Sequence, residues 1–337
     1  MESGKEVNVL LTGTFIGSTE EKHFQQITNI SPRIKLTNII DLLAGEVDGD
    51  AAAKQKLDEL LSDAEVLFGL RFPPDYLARA PKLKWFQIMS AGAERYLDEK
   101  MKKSPVTLTN ASGVHATAIA EYVLQVMLMF TKQAPNCFQM KQEKKWRRFQ
   151  SSMLESKTVG IVGLGSIGQE VARLSKALGM KVIATRRSAK KEGRAKNVDL
   201  LLPADRLNEM LAESDFVALT LALTSETEKY IGENEFKAMK SSAVLINISR
   251  GGVVDEEALI RALEEKTIAG AGLDVFSSEP LPADNKLWDI PNVLMSPHIS
   301  GGMDDYIQRV NNLFCENLER YLAGKKLKNI VNKKLGY

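Results

Sequence analysis

Thr158-Val-Gly-Ile-Val-Gly-Leu-Gly-Ser-Ile-Gly168 stands near the middle of the chain and organises the rest of it. Val159 to Val162 is an apolar run of the length of a buried strand. It leads into Gly163-x-Gly165-x-x-Gly168, after which Ile167, Val171, Leu174 and Leu178 recur at helical spacing and predict one buried face. A strand, this glycine spacing and a helix form the dinucleotide-binding fingerprint. Gly163 permits the tight turn, Gly165 lets the backbone approach a pyrophosphate, and Gly168 lets the helix pack on the strand. Ser166 and Ile167 open the helix, where free N–H groups and the dipole favour an anion.

A second strand, Lys181-Val-Ile-Ala-Thr185, ends about 18 residues after Gly168, where an NAD site places an acid on the ribose hydroxyls. Arg186-Arg187-Ser188 stands there instead. Two guanidinium groups and a hydroxyl suit a 2′-phosphate, so NADP(H) is favoured, with NAD(H) still possible. The competing reading makes both arginines solvated surface charges.

At 337 residues the chain suits two domains, each large enough for a core. Its 44% hydrophobic and 26% charged content is that of an ordinary globular protein. A net charge of +2 gives no reason to expect nucleic acid or an anionic membrane as partner. The lysine runs 141–145 and 325–334 are broken by acids and apolar residues, and read as solvated faces. The two cysteines, Cys137 and Cys315, make neither a disulfide framework nor a metal-ligand pattern, and each is expected buried or partly buried. No signal-peptide pattern opens the chain and no segment is long and apolar enough to span a bilayer, so a cytoplasmic location is expected.

Short apolar strands alternate with helical stretches throughout, which predicts an α/β fold with parallel sheets. Strands are expected at 7–11, 34–39, 64–70, 83–89 and 106–110, then at 158–162, 181–185, 215–220, 243–248, 269–275 and 293–295. Two sets imply two sheets. The first strand runs into Gly13 and Gly17, a spacing wrong for a dinucleotide turn. Residues 116–130 form a helix too apolar to face water on most sides, so it is expected between domains or against another subunit. The final helix, 304–322, has no sheet of its own to cover. Residues 1–110 and 303–337 are therefore expected to form one discontinuous domain and 111–302 the dinucleotide-binding domain, with the active site in the cleft between them.

Three ionisable groups each follow a strand: Arg250 in Ile248-Ser-Arg-Gly-Gly252, Glu279 after Leu273-Asp-Val-Phe-Ser-Ser278, and His298 in Ser296-Pro-His-Ile-Ser300. Strand ends near a cofactor are where α/β enzymes present reactive groups. With the fingerprint, these segments resemble the D-isomer-specific 2-hydroxyacid dehydrogenases. The likeness spans nearly the whole chain, including Leu223-Thr-Ser-Glu-Thr227, Ala120-Glu-Tyr-Val123 and Asn317-Leu-Glu-Arg-Tyr-Leu-Ala-Gly324. It implies two Rossmann-like domains, a flavodoxin-like substrate domain and an NAD(P)-binding one, in a homodimer built largely through the latter.

The chemistry of the residues agrees. A 2-keto acid offers a carboxylate and a carbonyl, and the forked, permanently charged Arg250 can hold both. His298 would give a proton to the carbonyl oxygen in reduction and take it back in oxidation. Glu279, on the far ring nitrogen, would fix its tautomer. By resemblance, Asp274 would hold the nicotinamide carboxamide, and the turn Ser90-Ala91-Gly92-Ala93 would bind the substrate carboxylate through backbone N–H groups. Arg71 either reaches the distal end of the substrate or is a solvated loop residue. Trp146 reads as packing more readily than as a substrate contact across a dimer. His115 reads as a helix-start or surface residue more readily than as one facing the cleft, and His23, beside Glu20, Glu21 and Lys22, is given no function.

Two departures from the family pattern stand out: Arg186 in place of the usual Asp, and Ala222 where proline is usual. The leading expectation is an NADP(H)-preferring reductase of a small 2-keto acid such as glyoxylate or hydroxypyruvate. Within the family, an NAD-dependent 2-hydroxyacid or phosphoglycerate dehydrogenase is the alternative, although the chain has no room after residue 337 for the regulatory extension many phosphoglycerate dehydrogenases carry. Glu279 argues against the formate branch, where glutamine is usual, and the absence of a lysine in 90–93 against a phosphite-oxidising one. A dinucleotide-sensing corepressor is the alternative of another class, since fold does not fix function.

Overall fold

The computed structural model describes residues 5–13 and 21–336, so Gly17 and Glu20 lie outside the described residues. The chain divides into two compact units, Met1–Val114 with Asp304–Tyr337, and His115–Met303.

In the first unit β1 (Val7–Leu11), β2 (Ile34–Asn38), β3 (Val66–Gly69), β4 (Trp85–Ile88) and β5 (Thr107–Thr109) form a parallel sheet of order β2-β1-β3-β4-β5. Such strands read as continuous apolar runs because both faces are covered. Leu57, Leu61, Leu67 and Phe86 belong to one apolar layer. Val9, Phe68 and Trp85 belong to the other, with Val310, Phe314 and Leu318 of the helix Tyr306–Leu322. The Phe314 ring stacks on Phe68 with centroids 3.9 Å apart and on Trp85 at 5.2 Å. This packing is why the last helix returns to the first sheet.

In the second unit β6 (Thr158–Val162), β7 (Lys181–Arg186), β8 (Gly193–Ala195), β9 (Val198–Pro203), β10 (Phe216–Leu219), β11 (Val244–Asn247), β12 (Gly270–Leu273) and β13 (Val293–Met295) form a sheet of order β13-β12-β11-β10-β6-β7-β9-β8. All pairs are parallel except β8–β9. The strand order reverses between β6 and β10, the position at which doubly wound sheets bind ligands. The β8–β9 hairpin was not expected. Its outer strand is three residues of Gly-Arg-Ala at the sheet edge, too short and polar to show a strand period.

Leu178, expected on the buried face of the fingerprint helix, is 41% exposed. The helix Ser166–Ala177 stops just before it, because Gly179 takes a left-handed φ of 75° and the Met180 amide donates back to the Ser175 carbonyl at 3.1 Å. The apolar helix Ala116–Thr131 packs inside its own unit through Ile119, Ala120, Val123, Val126 and Met127. Its other side carries Leu124, Leu128 and Met129 along a shallow groove. Cys315 is buried, but Cys137 is exposed because its helix, Ala134–Gln142, buries no residue. Among the described residues no helix is long and apolar enough to cross a membrane.

Candidate active site

Each fingerprint glycine meets a different constraint. Gly163 has φ 97°, and a Cβ there would press on the backbone of Leu221 at 3.2 Å. A Cβ on Gly168 would lie 2.4 Å from the Gly163 carbonyl oxygen. Around Gly165 there is open space, so the backbone in front of the helix can be approached closely. Thr220, just past β10, donates its hydroxyl to the Gly163 carbonyl and ties the two strand ends at the sheet reversal. The helix Ser166–Ala177 begins directly behind Gly165, with Ser166 exposed and Ile167 half-buried in its first turn. An exposed amide cradle with room for phosphate fits a dinucleotide. Arg186 closes β7; Arg186, Arg187 and Ser188 are all exposed, and Arg187 Nη1 is 3.2 Å from Glu226 Oε2.

The strands β11, β12 and β13 lie side by side, and the loop after each carries one of the candidate groups. After β11, the Asn247 side chain accepts from the Ser249 amide at 3.1 Å and hydroxyl at 2.8 Å, and donates to the Arg250 carbonyl at 3.1 Å. That local turn presents Arg250 half-buried, with Nη1 donating to the Ser249 carbonyl at 2.8 Å. Gly251 then runs so close to the next loop that a Cβ would fall 1.9 Å from the Phe276 carbonyl carbon. This contact draws the Arg250 turn against the segment that leads to Glu279. Sequence reading missed it, since glycine pairs such as 251–252 also mark ordinary turns.

Glu279 uses both oxygens. Oε1 accepts from the Phe276 amide at 3.1 Å, and Oε2 is 2.7 Å from His298 Nδ1. A carboxylate only accepts, so Nδ1 carries a proton and Nε2 is the nitrogen turned to chemistry. The His298 side chain is 50% exposed, as proton exchange with a substrate requires.

Asp274 is the residue expected at a nicotinamide carboxamide. It is fully buried. Its carboxylate accepts from Ser296 Oγ at 2.5 Å, the Ile299 amide at 2.8 Å and the Ser300 amide at 2.9 Å, because the loop carrying His298 folds over it. His115 stands at the start of the helix Ala116–Thr131, as expected, but is half-buried, and its Nδ1 lies 2.7 Å from the Gly301 carbonyl. Burial holds its pKa below the ordinary histidine value. Trp146 is 96% exposed, and His23 is buried.

In the first unit, the carbonyls of Ser90, Ala91 and Gly92 are taken by the Ala111 amide at 2.9 Å, Asn110 Nδ2 at 2.7 Å and Ser90 Oγ at 2.7 Å. The amides of Ala91 and Gly92 have no protein partner among the described residues. Arg71 is exposed in the loop after β3, its Cδ beside Gly13 at the end of β1. That is where this sheet, too, reverses its order.

Residues 124–300 match the family model of the D-isomer-specific 2-hydroxyacid dehydrogenase NAD-binding domain. A glyoxylate/hydroxypyruvate reductase B from Pectobacterium carotovorum is 36% identical over 284 residues, 81% of this chain and 87% of that one. A D-3-phosphoglycerate dehydrogenase from Methanocaldococcus jannaschii is 32% identical over 86% of this chain, which spans only 56% of that relative's length. Among solved structures, the NADPH-dependent glyoxylate/hydroxypyruvate reductase of Sinorhizobium meliloti, in complex with NADP and sulfate, has a TM-score of 0.81 at 26% identity and covers 98% of this chain and 100% of its own. With the fingerprint at the sheet reversal and the ionisable groups on adjacent strand ends, the chain belongs to the D-isomer-specific 2-hydroxyacid dehydrogenases, which are NAD(P)-dependent oxidoreductases.

Proposed function

We propose that the protein is an NADP(H)-preferring reductase of a small 2-keto acid, glyoxylate or hydroxypyruvate being the substrates of choice. The observation that carries the reading is the 2.7 Å contact between His298 and Glu279, one strand away from Arg250. The bound nicotinamide supplies or accepts a hydride at C2 of the acid. Gly163, Gly165 and Gly168, with Ser166 and Ile167, hold the pyrophosphate, and Arg186, Arg187 and Ser188 hold the 2′-phosphate. Arg250 grips the carboxylate and polarises the carbonyl. His298 gives its Nε2 proton to the oxygen as negative charge grows there, while Glu279 keeps the ring in that tautomer. Ala91 and Gly92 would offer amides to the substrate carboxylate, and Arg71 would meet its distal end. Asp274 would hold the nicotinamide carboxamide while bracing the loop of His298.

Two further features support the assignment. The structural relative from Sinorhizobium is named as NADPH-dependent and as a glyoxylate/hydroxypyruvate reductase. Leu128 exposes apolar surface in the groove of the Ala116–Thr131 helix, and Phe138, Trp146 and Met153 are exposed in the same unit; a second copy of the chain would cover such surface in a homodimer. Sedimentation of the purified protein tests the dimer. Steady-state oxidation of NADPH and NADH with glyoxylate, hydroxypyruvate, pyruvate and bulkier 2-keto acids tests the activity. A clear NADPH preference with one favoured small acid is the expected result. Preference for a phosphorylated hydroxy acid with NAD would move the assignment to the dehydrogenase reading, where Arg71 would meet a distal phosphate.

A further inference from the structure

The helix Ala116–Thr131 and the strand β12 keep step with one another. A Cβ on Gly270 would lie 2.6 Å from Phe130, and one on Gly272 would lie 2.4 Å from Val126. The two glycines alternate along the strand, and the two side chains are four residues apart on the helix. Four helical residues advance about 6 Å and two strand residues about 6.6 Å, so the elements stay in register as they run in opposite directions. The next partners in the series are Asp274 past the strand end and Tyr122 one turn back along the helix. There the packing changes from apolar to polar. Ser296 joins them, its Oγ 2.6 Å from the Tyr122 hydroxyl and 2.5 Å from Asp274 Oδ1.

The direction of these bonds follows from the chemistry of the groups. An ionised carboxylate only accepts, so Ser296 gives its single proton to Asp274. Its oxygen is then an acceptor, and Tyr122 is the donor. Burial and the nearby Asp274 charge push the Tyr122 pKa up, which keeps it protonated for that task. Seven residues before Tyr122, on the same side of the helix, His115 donates from Nδ1 to the Gly301 carbonyl at 2.7 Å. The helix therefore holds the loop at Ser296 and again at Gly301. His298 lies between the two attachments. Its backbone has φ 55°, a left-handed conformation that a non-glycine residue keeps only when its surroundings impose it. The His298 amide donates to the Asp274 carbonyl at 2.9 Å, and the next two amides donate to the Asp274 carboxylate.

We propose that Tyr122 is a positioning residue for the reaction: through Ser296 and Asp274 it holds the left-handed turn that aims the His298 ring. This rests on the assignment of His298 as the proton donor. Tyr122 touches neither His298 nor Glu279 in the contacts described, so its influence passes through the backbone of 296–300. Removing its hydroxyl leaves the Ser296 oxygen without a donor while the aromatic ring still fills its place.

The test combines Tyr122→Phe, Ser296→Ala and Ser296→Thr with His298→Gln, each checked for an unchanged melting temperature and an unchanged affinity for NADPH. Tyr122→Phe is expected to lower kcat about three- to tenfold, the scale of one lost hydrogen bond, with KM for the keto acid nearly constant. Ser296→Ala should cost at least as much, the double variant no more than Ser296→Ala alone, and Ser296→Thr should restore activity. In the His298→Gln background, Tyr122→Phe should leave the residual rate unchanged, since the residue it positions is gone. An equal fall in that background assigns Tyr122 a general structural role and overturns the proposal. So does a Tyr122→Phe enzyme with wild-type kcat. Full activity in His298→Gln alone would overturn the assignment of the proton donor as well, whereas its loss, with Tyr122→Phe harmless, would overturn only the positioning role.

Discussion

His298 Nδ1 lies 2.7 Å from Glu279 Oε2, and the other Glu279 oxygen is anchored on the Phe276 amide at 3.1 Å. The ring is thus fixed by a carboxylate that is itself fixed. His298→Gln should lower kcat by about 10²- to 10⁴-fold, the range of a lost general acid–base group. Glu279→Gln keeps a hydrogen-bond acceptor but loses the charge, and a neutral bond is roughly half as strong, so a fall of about tenfold is expected. Equal losses in the two variants would mean that Glu279 does more than orient the ring. The measurement is kcat and KM for the keto acid at saturating NADPH.

Arg187 is engaged with Glu226 at 3.2 Å, while both side chains are more than half exposed. An exposed pair of this kind contributes about 0–1 kcal/mol, so it yields readily to a phosphate. Arg186→Ala and Arg187→Ala are each expected to raise KM for NADPH about tenfold or more, because a bond to a charged group is worth about 1.5–3 kcal/mol. KM for NADH should hardly move. Glu226→Gln should lower KM for NADPH modestly by releasing Arg187 from its ion pair. Parallel changes for both nucleotides would refute a 2′-phosphate site.

The sequence made the sheets and the catalytic candidates legible because both rest on local signals. Apolar runs mark strands buried on both faces, and Arg250, Glu279 and His298 each follow such a run. The packing partners were not legible. Nothing in the spacing of Asp274, Tyr122 and Ser296 states that they meet, because their contact depends on how a helix lies across a strand about 150 residues further along the chain. One signal was present: the alternation of Gly270 and Gly272 in a strand marks a close approach by something. Trp146 departs from expectation for a simpler reason. A large aromatic suggests packing, but residues 141–153 around it are all exposed.

Gly165 and Gly168 should separate binding from folding. Gly165 has φ −85° and open space where a Cβ would stand, so Gly165→Ala should fold with an unchanged melting temperature. The new methyl would occupy the place where the pyrophosphate approaches, and the Kd for NADPH should rise by tenfold or more, about 1.4 kcal/mol or above. Gly168→Ala meets the Gly163 carbonyl at 2.4 Å, which can move only with the turn itself. That variant should lose about 1–3 kcal/mol of stability, the cost of overpacking. Thermal melts with and without NADPH distinguish the two, and a destabilised Gly165→Ala would contradict the open geometry.

The helix Tyr306–Leu322 makes the first unit sensitive to alkali. Burial pushes the Cys315 thiol up from 9.0 to about 12. Burial likewise raises Tyr306, whose hydroxyl donates to the Met89 carbonyl, from 10.0 to about 12. A folded pKa above the unfolded one means that the unfolded chain releases the proton first as pH rises. The stability these groups contribute is therefore complete below about pH 9 and is lost progressively between pH 9 and 12. Unfolding by urea at pH 7, 9, 10 and 11 should show this decline. Cys315→Ala removes one of the titrating groups, so its stability should fall less steeply over the same range, even though its value at pH 7 is lower for the lost sulfur packing. A Cys315→Ala curve parallel to that of the natural protein would show that the thiol is already ionising in the folded state.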